Sequence, residues 1–251
     1  MLKPRVIPCL LLRGRGLYKT VKFTDPKYVG DPVNAVKIFN EKEVDELILL
    51  DITATPEQRG PNYALIEDIA SECFMPLSYG GGVTSMDQVR RLHRLGVEKV
   101  SLNTAAFNDR QLVREACDTF GSSSVIAAID VRKTLFGKYE VWTGCGRVNT
   151  KVDPVGYAEE LAELGVGEIL VNSIDRDGAM TGYDLPLLTK IAARVDTPVI
   201  ACGGAGSLEH IREVLTGAQV SAVAAGSLFV FHGKHKAVLI NYPSPGELEG
   251  L

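Results

Sequence analysis

The chain of 251 residues is 45% hydrophobic and 23% charged, and its 27 Lys and Arg against 31 Asp and Glu leave a net charge of −4. That balance offers no basic face for a polyanion, so nucleic acid and anionic membrane are excluded as general partners and any phosphate must be held locally. No run approaches the ~18 apolar residues of a membrane span, and the N-terminal MLKPRVIPCLLLRGRG lacks the length and cleavage site of a signal peptide. A cytoplasmic protein is expected. Cys9, Cys73, Cys117, Cys145 and Cys202 scatter without any C-x-x-C pair and read as free thiols. His93, His210, His232 and His235 have no ligand spacing, so neither metal nor cofactor is expected.

In chain order, Arg5 to Leu11 is an apolar run that suits a strand buried on both faces. Arg13 to Asp31 is too long and basic for a plain connection and reads as a functional loop. Asp31-Pro32 then starts a helix reaching about Asn40. Strands follow at 46–51 and 76–79, separated by a helix across 62–73. Gly80-Gly81-Gly82 ends the second of these, and Thr84 to Asp87 caps a helix that turns Val89, Leu92 and Leu95 inward. A fourth strand, 99–102, closes in Asn103-Thr104.

The second half repeats the plan. Strands are expected at 124–130, 168–173, 199–202 and 222–225, with a β-hairpin around Phe136-Gly137 inserted after the first of them. Pro198 to Ser227 repeats the grammar of Pro76 to Ala105 at a constant offset of 122 residues, without a gap. Eight alternating strands and helices, duplicated, predict one (β/α)8 TIM barrel over 1–251, built of half-barrels at about 1–122 and 123–251. An open doubly wound sheet is the alternative, but the glycines and polar residues all fall at strand C-termini, where barrels place their sites.

Two chemistries follow from the pattern. Glycine turns before helices let backbone N–H groups approach an anion. Gly82 with Asn103-Thr104, and Gly204 with Gly226-Ser227, would face each other as cradles for a ligand phosphorylated at both ends, although glycines also simply tighten such turns. Asp51, Asp130, Asp175 and Asp177 lie at strand ends; Asp51 and Asp175 read as turn caps or ion-pair partners, and Asp130 as the candidate acid or base. At the opposite end, Arg5, Glu46, Lys99 and Glu168 open four strands, either as a charged ring around an opening or as salt bridges that plug the floor.

These residues resemble, over nearly the whole chain, the cyclase subunit of imidazole glycerol phosphate synthase. The matching motifs are LDITAT (50–55), GGG (80–82), NTAA (103–106), AAID (127–130), SIDRDG (173–178) and GGAG (203–206). The resemblance implies a bisphosphorylated substrate, contacted by Gly82, Asn103 and Thr104 in one half and by Asp177, Gly178, Gly204, Ala225, Gly226 and Ser227 in the other. It implies that Lys19 closes over the substrate, and that Arg5, Glu46, Lys99 and Glu168 gate ammonia from a glutaminase subunit docked on the N-terminal face.

The family's second acid–base aspartate, on the first strand, falls here at Leu11, which transfers no proton. Asn172 and Cys202 stand where the family tends to carry hydroxyls, and the tail from His235 reads as proline-broken and strand-like where the family has a helix. These departures resemble paralogues that pass ammonia to a separate sugar amidotransferase forming acetamidino groups on surface polysaccharides, as in lipopolysaccharide O-antigen biosynthesis. Three readings stand: such a synthase subunit, a genuine histidine-pathway cyclase, or a non-catalytic ammonia-conducting adaptor.

Overall fold

The computed structural model describes residues 4–233, 235 and 237–251; the first residues of the N-terminal basic and apolar run, and Lys236 of the tail, lie outside the described residues. Eight parallel strands close on themselves: β1 (Arg5–Arg13), β4 (Leu47–Asp51), β5 (Leu77–Gly80), β6 (Lys99–Leu102), β7 (Val125–Lys133), β10 (Glu168–Ser173), β11 (Val199–Cys202) and β12 (Ala222–Ala225). Each pairs with the next, β12 pairs with β1 and β7 with β10, which completes a (β/α)8 TIM barrel.

Helices fill the crossovers. They are α1 (Pro32–Glu41), α2 (Tyr63–Ser71), α3 (Met86–Arg94), α4 (Thr104–Asn108), α5 (Arg110–Phe120), α6 (Pro154–Glu163), α7 (Leu185–Ala192), α8 (Leu208–Gly217) and the short α9 (Ser227–Val230). The expected caps form: Asp31 accepts from the Asn34 amide, and Ser85 from the Gln88 amide. Ser207, 122 residues beyond Ser85, accepts from the His210 amide in the same way, so the sequence repeat is a repeat of structure.

The period of two along the strands divides the core. One set of side chains packs outward beneath the helices. The other lines the barrel interior, where Ile7, Ile48, Ile126, Leu170 and Ile200 form an apolar column. Following β1 inward gives Arg5, Ile7, Cys9 and Leu11; β10 gives Glu168, Leu170 and Asn172. Charge therefore sits at the floor, hydrocarbon in the middle, and a mix of polar residues such as Asn172 with apolar ones such as Leu11 at the mouth.

Two additions rise from the mouth. The basic stretch after β1, expected as a loop, is a hairpin: β2 (Gly16–Val21) pairs antiparallel with both β1 and β3 (Thr24–Gly30). Its turn residues Lys22 and Phe23 both take positive φ, +54° and +64°, which ordinarily calls for Asn-Gly. With neither residue there, the turn had no sequence signature. The second addition is the expected hairpin at Phe136-Gly137, formed by the end of β7 with β8 (Tyr139–Thr143), followed by the two-residue β9 (Val148–Asn149).

The tail corrects an expectation. A two-stranded ladder of β13 (Phe231–His232) and β14 (Ala237–Val238) gives way to a helical turn, α10 (Pro245–Leu248), because Ser244 and Glu247 form a reciprocal capping box. Tyr242 anchors this segment by donating its buried hydroxyl to the Val6 carbonyl at 2.7 Å.

Candidate active site at the C-terminal mouth

A cavity of about 470 Å³ opens at the C-terminal ends of the barrel strands. Lys19, Gly82, Asn103, Thr104, Asp130, Asp177, Gly178, Gly204, Ala225, Gly226 and Ser227 all line it, so residues from seven separate segments converge on one volume. Leu11, Asn172 and Cys202 line it too. Arg5, Glu46, Lys99 and Glu168 lie at the other end of the strands and form a separate arrangement.

The strand register explains the mouth. Leu11 on β1 pairs with Leu50 on β4, while Asp130 on β7 pairs with Asn172 on β10, and Leu50 and Asn172 are themselves 122 residues apart. Leu11 and Asp130 each also face the hairpin that follows, opposite Tyr18 and Trp142 respectively. They are thus pseudo-symmetric equivalents. One half-barrel presents an apolar pair and the other a carboxylate with an amide.

Asp130 accepts a hydrogen bond from Asn103 Nδ2 at 3.0 Å. Burial, reinforced by the nearby Asp177 carboxylate, pushes its pKa up to about 7 against the pull of the Asn103 and Asn172 amides. A group there exchanges protons near neutrality, as acid–base chemistry requires. Asn172 Oδ1 is buried with no partner, an acceptor held open beside Asp130. Because the folded-state pKa is raised, the native state holds a proton that the unfolded chain has already lost above pH ~4. Stability is therefore expected to fall as pH rises from ~4 to ~7, by roughly 4 kcal/mol in total for this group. Urea unfolding at pH 5 and pH 8 should show that fall, and Asp130→Asn should flatten it.

Lys19 comes from β2 and crosses the mouth. Its ammonium donates to the Cys9 carbonyl at 2.7 Å, and burial lowers its pKa while the surrounding Cys9 and Asp177 raise it. The space a side chain on Gly226 would need is where Lys19 Nζ sits, 1.8 Å from an ideal Cβ. Gly226 thus leaves the space that Lys19 occupies in this arrangement, with the Cys9 carbonyl 2.9 Å from the same point.

Asp177 holds the hairpin shut. Its carboxylate accepts from Thr20 Oγ1 at 2.8 Å and from the Phe23 amide at 3.4 Å, and its carbonyl accepts from the Lys22 amide at 2.9 Å. These bonds bear directly on the strained Lys22-Phe23 turn and offset a cost of order 1–3 kcal/mol. The Asp177 amide donates to the Ser173 carbonyl at 2.9 Å, so both its carboxylate and its N–H are engaged within the protein. Beside it, an ideal Cβ on Gly178 would lie 2.0 Å from the Thr20 carbonyl, at φ +65°. Gly178→Ala is expected to lift the hairpin at a cost of about 2–4 kcal/mol. Limited proteolysis should then cut within 16–30, sites protected in the wild type.

The two glycine turns end β5 and β11 with Gly82 and Gly204 at positive φ. Beyond them, α4 and α9 begin at Asn103 and Gly226 without a side-chain cap, whereas each described helix of eight or more residues has one. Thr104 Oγ1 accepts from the Gly144 amide at 2.9 Å, tying this end to the second hairpin. Asp51 is a structural residue, as its neighbours indicated: it caps Thr53 and Ala54 and pairs with Arg59 at 2.8 Å. Asp175 likewise accepts from the Lys133 amide at 2.8 Å. Sequence reasoning missed Thr55, whose hydroxyl accepts from the Gly82 amide at 3.4 Å, and Arg147, which lines the cavity from the second hairpin. Neither stands at a barrel-strand end, the position that signalled Asp130 and the glycine turns.

At the floor, Arg5 bridges Glu46 at 2.5 Å and also pairs with Glu168. Lys99 completes the circuit, 3.0 Å from Glu46 and 2.8 Å from Glu168, and Ser78 donates to Glu46 at 3.0 Å. Two cations and two anions close a ring under the apolar column.

Fold and site together define a (β/α)8 barrel whose C-terminal mouth holds a buried carboxyl, Asp130, in a cavity lined by glycine turns. The chain belongs to a particular family of these: its residues 5–236 match the family of histidine biosynthesis proteins. A Pseudomonas aeruginosa relative named "Putative imidazole glycerol phosphate synthase subunit hisF2" is 56% identical over 249 residues, 99% of each chain. A Vibrio vulnificus relative bearing the same name with hisF3 is 51% identical over 98% of this chain and 95% of its own. One from Leptospira interrogans, named as subunit HisF, is 48% identical over the whole chain and 99% of its own.

Proposed function

We propose that this barrel is a cytoplasmic ammonia-using synthase subunit that serves acetamidino modification of polysaccharide sugars and does not carry out full histidine-pathway cyclisation. A glutaminase docks on the N-terminal face, and ammonia passes the ring of Arg5, Glu46, Lys99 and Glu168 into the apolar column. The mouth binds a bisphosphorylated ligand, one phosphate at Gly82, Asn103 and Thr104, the other at Gly178, Gly204 and the Ala225-Gly226-Ser227 turn. A separate sugar amidotransferase receives the ammonia.

The observation that carries this reading is the asymmetry of the mouth. Leu11 with Leu50 occupies the positions equivalent to Asp130 with Asn172; where the resemblance implies two acid–base carboxylates, these positions carry one. Removing such a group costs ~10²–10⁴ in rate. The uncapped starts of α4 and α9 support the phosphate assignments, since free N–H groups there favour anions.

The second reading, a genuine cyclase, is favoured by Asp130, whose carboxyl titrates near neutrality as an acid–base catalyst should. Purified protein supplied with ammonium salt and the histidine-pathway substrate decides between them. Turnover at least ~100-fold below that of an ordinary cyclase is expected; turnover near that rate would establish the cyclase instead. Asp130→Asn separates either from a passive adaptor, because an adaptor carrying it would support the amidotransferase undiminished.

A further inference from the structure

Among the described residues eight large apolar side chains are exposed, and all but Phe74, Val238 and Leu239 gather at one place. Five of them, Val21, Tyr28, Leu135, Phe136 and Val148, lie on the two hairpins at the C-terminal mouth, with Leu135 and Phe136 essentially fully exposed at the tip of the β7–β8 turn. The hairpins touch: an ideal Cβ on Gly146 would meet the Phe23 ring at 2.8 Å. They therefore form one continuous rim around the cavity rather than two separate projections. Exposed hydrophobes gathered at one end of a molecule mark interaction sites.

The same rim is basic on a chain whose net charge is −4. Within 13–30 the exposed charges are Arg13, Arg15, Lys22 and Lys27 against Asp25. Within 131–151 they are Lys133, Lys138, Arg147 and Lys151, with no exposed carboxylate. Two identical rims meeting in a symmetric dimer would set like charges face to face, which costs affinity. A flat bilayer would reach the Leu135-Phe136 tip but leave Arg13 and Arg147, which line the cavity wall, unmatched.

We infer that the rim is the docking surface for a second protein partner, distinct from the glutaminase, whose face is acidic and apolar and which covers the mouth. The inference rests on the proposed function, and it names that partner chemically: the ammonia-consuming enzyme. Ammonia leaving the column at an open mouth would be protonated and lost to water. An acceptor sealed over Leu135 and Phe136 receives it unprotonated.

The test uses the full chain in cells that make all the components, with a photo-crosslinking phenylalanine analogue at position 136 and, separately, at Phe74. Phe74 is 85% exposed beside the start of β5, on the N-terminal face. Mass spectrometry of the adducts should find an ammonia-dependent synthetase at 136 and the glutaminase at 74. The glutaminase, a second copy, lipid or no adduct at 136 overturns the inference. The glutaminase failing to appear at 74 overturns the functional reading instead. In parallel, Leu135→Ser with Phe136→Ser should lower glutamine-driven product formation at least tenfold while ammonium-driven formation by the acceptor enzyme is unchanged; equal loss in both, or loss in neither, counts against docking here.

Discussion

Leu11→Asp is expected to raise ammonium-dependent cyclisation of the histidine-pathway substrate by about 100-fold or more over the wild-type barrel, because a positioned general acid or base contributes ~10²–10⁴. The register supplies the geometry: position 11 is the half-barrel equivalent of Asp130, and both line the same cavity. The new carboxylate would stand beside Leu50 and not beside an amide such as Asn172, so desolvation would raise its pKa and move the activity optimum upward in pH. Leu11→Asn is the control, matched in size and polarity but unable to transfer a proton. A gain equal in both variants, or no gain in the aspartate variant despite undiminished ligand binding, would show that the missing carboxylate is not what limits this barrel. Binding can be followed separately through Trp142, the sole tryptophan, which faces Asp130 across the β7–β8 ladder and carries Arg132 over its ring.

Much of this site is written in local sequence. The repeat at 122 residues, the serine caps and the continuous apolar strands each act over a few residues, so barrel and duplication could be read directly. Strand-end position exposed Asp130 and the glycine turns for the same reason. What was hidden depends on contacts between distant segments. The β2–β3 turn uses Lys22 and Phe23 where glycine or asparagine would announce it, and is held by Asp177 more than 150 residues away. Asp177 lines the cavity, and its carboxylate also closes the hairpin, a role that no local pattern announces. Arg59 and Thr55 escaped notice because their roles, clamping Asp51 and receiving the Gly82 amide, exist only once the loop is folded back. The floor ring was legible as four charged strand starts, with salt bridges among them as one of two readings, and the structure closes them into alternating pairs.

That closure sets the second large effect. Glu46 is 3% exposed and accepts from Arg5, Lys99 and Ser78 at once. Glu46→Leu should therefore cost about 3 kcal/mol, near the lower end for breaking a buried ion pair, since Arg5 remains 30% exposed and recovers part of its hydration. Replacing all four ring residues with Met or Leu leaves no orphaned charge, and buried ion networks exchanged for hydrocarbon are often neutral or stabilising. The quadruple variant should thus unfold in urea within ~2 kcal/mol of the wild type, or later. If so, the ring is not retained for stability, and its purpose has to be sought in transfer. With the glutaminase present, the quadruple variant should still support the acceptor enzyme on added ammonium yet lose glutamine-driven supply, because a hydrophobic floor offers no charges to orient the partner over the opening. Glutamine-driven supply that survives the exchange would make the four charges a plug in the barrel floor and nothing more.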